Sequence, residues 1–402
     1  MRSSTLVPVT LVMLALLTGC AAGDLEVAAT SEVRDSAGIR IVESHRPRWG
    51  VGERIEVAAE PSLELGAVEG DTPESFARVV GMRRLPDGTI VVADGGEFQL
   101  KYFDAAGRFL RSVGRNGGGP GEFQGIAQLF TCGADSLVVW DPWQPRASVF
   151  DGRGEYVRGV QFEVPPPSGS VYRLSECGAG GEVVVIGWPR TDGIPQGLHR
   201  PAVPVYFSRI SDGRVHVEVG EFPGDDRSGS QYGSRPATFG RRTLVAMGDG
   251  RVFLGTGDSY EIRGYGMDGT LEVLVRRSRG VLPVTREDVA RYQEAQLSLA
   301  RDPNQRREWE QSLAAEEYPA NFPAYAAMRT DPEGRLWVQY YPRPGEAGNE
   351  WAVFGRDGEW LGDVTMPKGL GIFQIGVDYV LGIWRDELGV DYVRLHEITA
   401  IR

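Results

Sequence analysis

Gly114-Arg115-Asn116-Gly117-Gly118-Gly119-Pro120-Gly121-Glu122-Phe123 decides the reading of the chain, because this stretch joins two copies of one unit. Counting 47 residues on from each landmark of the first copy lands on a like residue of the second. Phe76 leads to Phe123, Ile90 to Leu137, Val92 to Val139, Asp94 to Asp141, Phe103 to Phe150, Asp104 to Asp151 and Gly107 to Gly154. A period of about 40–50 residues whose unit reads as four short strands is the pattern of a β-propeller blade, which buries its faces only by stacking on its neighbours. The expected fold class is therefore all-β.

Blade one covers 76–114. Its second strand, 89–93, is nearly all β-branched, as a strand buried on both faces should be, and Leu85-Pro86-Asp87-Gly88 makes the tight turn before it. Blade two repeats this to about Val160. Three further units follow with turns at Ser211-Asp212-Gly213, Gly248-Asp249-Gly250, Met267-Asp268-Gly269, Asp331-Pro332-Glu333-Gly334 and Arg356-Asp357-Gly358. A sixth unit offers only three strands, at 371–376, 379–384 and 390–397, while 63–66 stands as a fourth strand without a blade. The sequence thus predicts a six-bladed β-propeller whose N-terminal strand closes the last blade, which removes the open sheet edges. Thr285 with Asp288, and then Asp302-Pro303, predict two capped helices, a helical insertion at about 284–318 between blades four and five.

The links and second strands resemble those of NHL-type repeats, whose consensus links read much like Gly117-Gly118-Gly119-Pro120-Gly121-Glu122-Phe123 and whose second strands end in aspartate, as at Asp94 and Asp141. The resemblance covers roughly residues 60–400 and is sharpest in blades one and two. It implies a six-bladed propeller. Families of this shape include carbohydrate- and protein-binding modules as well as lyases and lactonase-like enzymes, so the fold alone names no function.

At the N-terminus, Arg2, an apolar run at 6–17 and Leu17-Thr18-Gly19-Cys20 resemble a lipoprotein signal ending in a lipobox. The alternative is an ordinary secretory signal with an incidental cysteine. The lipobox reading divides the chain into a signal peptide at 1–19, a lipidated tether at 20–37 beginning at Cys20, and a propeller at 38–402. Ala21 then points to the outer membrane facing the periplasm, with the domain held there by its N-terminal lipid. The net charge of −12 argues against nucleic acid and against docking on anionic lipid through basic residues. Cys132 and Cys177 end the first strands of successive blades in a compartment that permits disulfides; a bridge is feasible there, and strand geometry could equally hold the sulfurs apart.

Catalytic signals are sparse. The four histidines lack metal-ligand spacing, and Gly-x-Ser-x-Gly is absent. Asp94, Asp141 and Asp258 recur at one blade position, which favours turn-capping over chemistry. The long insertions, 188–204, 221–236, 281–324 and 341–350, all fall on one face of the ring, where loops on a rigid scaffold concentrate binding residues. Ligand-binding candidates on that face are Trp143, Arg146, Trp188, Arg190, Arg200, Tyr340, Tyr341, Arg343, Trp384 and Arg385, of the residue types that dominate hot spots and stack on sugars. The leading expectation is a monomeric, membrane-anchored propeller that binds an envelope protein, peptide or glycan without a cofactor. The rival is a lactonase-like hydrolase or lyase with a divalent cation at the axis.

Overall fold

The computed structural model of the chain describes residues 30–67, 72–133, 136–165, 172–187, 195–230, 233–346 and 348–401. Among them the strands form six sheets from successive stretches of chain, with one small sheet besides. Sheet one runs Val79–Arg84, Ile90–Asp94, Gln99–Phe103 and Phe109–Val113. Sheet two opens on Gln128–Cys132, sheet three on Tyr172–Cys177, sheet four on Leu244–Gly248, sheet five on Ala327–Thr330 and sheet six on Gly371–Ile375. These first strands touch one another in turn, and the sixth returns to the first. The core is divided accordingly into six apolar clusters, each lying between two neighbouring sheets. This is an all-β fold of propeller type, stabilised by the stacking that no single sheet could supply.

The 47-residue register appears directly in the pairing: Ile90 faces Phe103 in sheet one, and Leu137 faces Phe150 in sheet two. The link that joins them folds on itself. Phe123 is fully buried and stacks 5.9 Å from Phe150, its N–H donates to the Arg115 carbonyl, and Glu122 accepts from the Gly119 N–H and from Arg115. Gly114 has φ +94°, and a Cβ there would stand 2.5 Å from the Phe123 ring. Glycine is required at that position for both reasons.

The N-terminal stretch forms a belt around the outside of three sheets. Ile39–Ser44 lies parallel to Leu271–Arg277, the outer strand of sheet four, and the Arg48 and Trp49 N–H groups donate to the carbonyls of Trp360 and Leu361 in sheet five. Arg54–Val57 and Leu63–Leu65 then both pair with Asp391–Ile401, the third strand of sheet six. A Cβ at Gly107, in the last turn of sheet one, would stand 2.8 Å from Leu63 and 2.9 Å from Leu65. The first strands and the last are thereby brought together.

Two features correct the sequence reading. Residues 31–36, assigned to the tether, form the strand Ser31–Ser36, which pairs with Ile39–Ser44 through a hairpin turn with positive φ at Ala37 and Gly38. Its charged, largely exposed side chains hid it, because a strand exposed on both faces shows no alternation. The second is a three-stranded sheet of Gly197–His199, Arg227–Ser230 and Gly233–Pro236, built from two insertions whose Gly, Ser and Pro content carries no strand signal. Helices α1 (Arg286–Leu297) and α2 (Pro303–Ala314) follow sheet four, each capped by the residue expected, Thr285 and Asp302. Among the described residues no helix is long and apolar enough to cross a membrane. Cys20 and the signal segment lie outside the described residues.

Candidate functional site

The insertions on the long-loop face are tied to one another. Glu317, just after α2, accepts from the Leu198 N–H at 3.0 Å, while Glu316 accepts from the Thr238 hydroxyl at 2.7 Å and pairs with Arg235 at 3.0 Å. The helical pair is therefore part of a built cap that also includes the small sheet.

Under this cap lies a cleft of about 660 Å³, bounded by α1, residues 236–244 and residues 341–346. Phe239, Tyr292, Tyr325 and Tyr341 give it an aromatic floor, backed by further rings. Phe239 stacks on Tyr292, Tyr318 and Phe322 at 5.3, 5.6 and 5.0 Å, and Tyr341 adjoins Phe322 at 5.4 Å. Phe239 holds φ +58°, a strained conformation for a bulky residue that packing on three rings fixes. Burial pushes the Tyr341 phenol up to about 12 against the pull of the nearby Arg242 guanidinium, so it stands as a neutral donor.

Cations line the rim in different states. Arg343 donates to both carboxylate oxygens of the buried Asp288 at 2.9 and 2.8 Å, and Asp288 also closes the capping box with Thr285. Arg343 and Thr285 hold the Asp288 carboxyl down at about 2, so the clamp fixing the start of α1 to the 341–346 loop is charged throughout the neutral range. Arg291 pairs with Glu287 at 2.8 Å and donates to the Pro344 carbonyl. Arg242, exposed at the cleft, makes no ion pair or hydrogen bond with a described residue.

Of the eight candidates among the described residues, only Tyr341 and Arg343 come together in this cleft. Trp188 and Arg190 lie outside the described residues. Arg146 donates to the carbonyls of Gly118, Gly119 and Glu122, bracing the link that decided the fold. Arg200 donates to the Gly224 and Thr256 carbonyls and to Asp258, in a network with Asp226 and Arg241. Tyr340 is buried, donates to Asp363 at 2.6 Å and helps enclose Arg277, whose guanidinium lies 3.4 Å over the Trp360 ring. Trp384 lies under Arg394, and Arg385 pairs with Asp391, which accepts from the Val79 N–H and so ties sheet six to sheet one. Trp143 remains 76% exposed beside Gly125.

Asp94 and Asp141 cap turns. Asp94 accepts from the N–H groups of Ala77, Arg78, Gly96 and Glu97, and Asp141 from those of Gln124, Trp143 and Gln144. Cys132 and Cys177 are joined through sulfur with their Cα atoms 5.2 Å apart, linking sheets two and three at the end of the ring opposite the cleft.

The axis holds residues that pattern reading missed. Arg83, Phe130, Glu176, Arg329 and Phe373 border both of the cavities that make up the central channel. In the layer shared by both cavities one carboxylate faces two guanidinium groups, a donor set that repels a divalent cation. The other carboxylates bordering the channel, Glu182, Asp249 and Asp331, belong to the tight turns at its mouth, where Asp249 and Asp331 pair with Arg356 and Arg335, and among the described residues no group of three or more metal-binding side chains occurs. The residues at the axis therefore do not fit the metal that the rival reading requires. The signal available in the sequence was phase, since Arg83 and Phe130 are themselves 47 residues apart.

No known family profile matches the chain, and no curated protein matches it. Among solved structures it is similar to an exported protein of Bacteroides fragilis, at 14% identity and TM-score 0.49, covering 90% of this chain and 100% of that one. It is similar as well to a member of the DUF4221 family from Bacteroides vulgatus, at 12% identity and TM-score 0.49, covering 87% and 99%. A third is regucalcin, a calcium-binding protein of Agrobacterium tumefaciens, at 10% identity and TM-score 0.39, covering 83% and 94%. At such values these likenesses carry nothing about what this chain binds or catalyses.

Proposed function

We propose that this chain is a lipid-anchored, extracytoplasmic six-bladed propeller that binds a protein, peptide or glycan in the cleft beneath α1. The observation that carries this reading is the combination of an aromatic floor with one uncommitted cation, Arg242, at its rim. Stacked rings offer flat apolar surface at little conformational cost, and a single unpaired guanidinium selects ligands that bear an acidic group. The clamp of Arg343 on Asp288 supports the same reading, because it holds one wall of the cleft in place before any ligand arrives.

Calorimetric titration with soluble cell-wall fragments, acidic oligosaccharides and acidic peptides tests it. For whichever probe binds, Arg242→Glu and Tyr341→Ala are each expected to weaken affinity about tenfold or more. Undiminished affinity in both variants would place binding elsewhere.

Anchoring rests on the Leu17-Thr18-Gly19-Cys20 motif. Cys20→Ala is expected to move the protein from the membrane fraction to the soluble fraction of the envelope, since two or more acyl chains are what make such attachment stable. Membrane retention equal to that of the natural chain would refute the lipobox.

A further inference from the structure

The central channel carries a second site, distinct from the cleft and opening toward the tight-turn face of the ring. Its two cavities, of about 670 and 330 Å³, share the five residues Arg83, Phe130, Glu176, Arg329 and Phe373. In sheets one to five the layer falls at one register position. Arg83 pairs with Val91, Phe130 with Val138, Glu176 with Val184, Ala246 with Phe253 and Arg329 with Trp337.

Charge is separated across this layer. Arg83 of sheet one donates to the Phe373 carbonyl, and Arg329 of sheet five donates to the carbonyl of the adjacent Ile372, so both guanidinium groups converge on one dipeptide of sheet six. Glu176 belongs to sheet three, which stands opposite sheet six in a ring of six. Its carboxylate accepts no hydrogen bond from a described residue and forms no ion pair with either arginine. The remaining cation of the channel, Arg173, is committed to Asp225 and to the Thr243 carbonyl. Phe130 and Phe373 supply apolar wall between the two poles.

Two like charges that bond to no counter-ion, facing across a channel one carboxylate that attracts both through space but bonds to neither, form a receptor for a molecule with both signs. The geometry points to a small zwitterion spanning the channel, its carboxylate between Arg83 and Arg329 and its ammonium on Glu176. Burial raises the Glu176 carboxyl and lowers both guanidinium groups, and a ligand of complementary charge removes that penalty. A plain anion would satisfy the arginines and leave Glu176 opposed; a metal ion would do the reverse.

The full chain, purified in detergent, is to be titrated calorimetrically at neutral pH with acetate, propylammonium and the ω-amino acids from glycine to 6-aminohexanoate. One chain length is expected to bind about tenfold or more tightly than either monofunctional ion. Glu176→Gln should bring that amino acid down to the level of acetate while leaving acetate binding intact, and Arg329→Gln should weaken both. If Glu176→Gln melts early, Glu176→Asp replaces it, and the preferred amino acid should lengthen by about one methylene because the carboxylate is withdrawn by that much. Acetate binding as tightly as the best amino acid, the absence of binding heat with every probe, or an unchanged chain-length optimum in Glu176→Asp would each overturn the assignment.

Discussion

Removal of residues 21–67 is expected to abolish cooperative folding, whereas removal of residues 21–37 should leave a monomer that melts close to the full chain. From among the described residues the short deletion takes away 30–37, which are the exposed strand Ser31–Ser36 with Thr30 before it and Ala37 of its turn, and Val33 in that strand is 42% exposed. The long one removes Val42, Ile55 and Leu65, all buried, and uncovers the outer edges of Leu271–Arg277 and Asp391–Ile401. Losing a buried aliphatic side chain costs about 2–5 kcal/mol, so three together rival the whole net stability of a domain, about 5–15 kcal/mol. The uncovered edges are also templates for intermolecular pairing, and light scattering should report aggregates. A monomeric long deletion that melted with the short one would show that the belt does not hold the ring.

Phe123→Ala is expected to cost about 3–5 kcal/mol, measured by chemical denaturation, because a fully buried ring is lost from the interface of sheets one and two and the site cannot collapse around the rigid link. Gly114→Ala is the informative partner. In the natural chain a new Cβ meets the Phe123 ring and must adopt positive φ, which should cost about 1–3 kcal/mol. With Phe123 already truncated the ring is gone, although the Phe98 carbonyl oxygen still stands 3.0 Å away, so the second substitution should cost less than the first time. Strict additivity would mean that the ring is not what excludes a side chain at Gly114.

What the sequence revealed, and what it hid, follows from the range of the forces involved. Phe123 over Gly114, the Thr285 cap of α1 and the aspartates that close turns act within a few residues or recur with the period, so they show as pattern. The partners of the arginines do not. Arg343 finds Asp288 at a separation of 55 residues, Arg200 finds Asp258 at 58, and Arg146 reaches carbonyls 24 to 28 residues back. Residue type marked all of these as recognition surface, and folding has committed most of them to holding loops. Arg242 went unmarked because an uncommitted cation is defined by what surrounds it, and that appears only in three dimensions.

The belt also sets an order of events. Glu64 pairs with Arg394 across 330 positions, and Leu65 with Val393, so the strands made first must wait for nearly the last residues before they find their partners. Sheets one to three can stack as they appear, since each is made from one continuous stretch of chain. Sheet six cannot be completed until both ends of the chain are present. An incomplete chain is therefore an open arc with unpaired strands at either end, at its most prone to self-association just before completion, and binding to the Leu63–Leu65 segment at that stage would hold it back from closing.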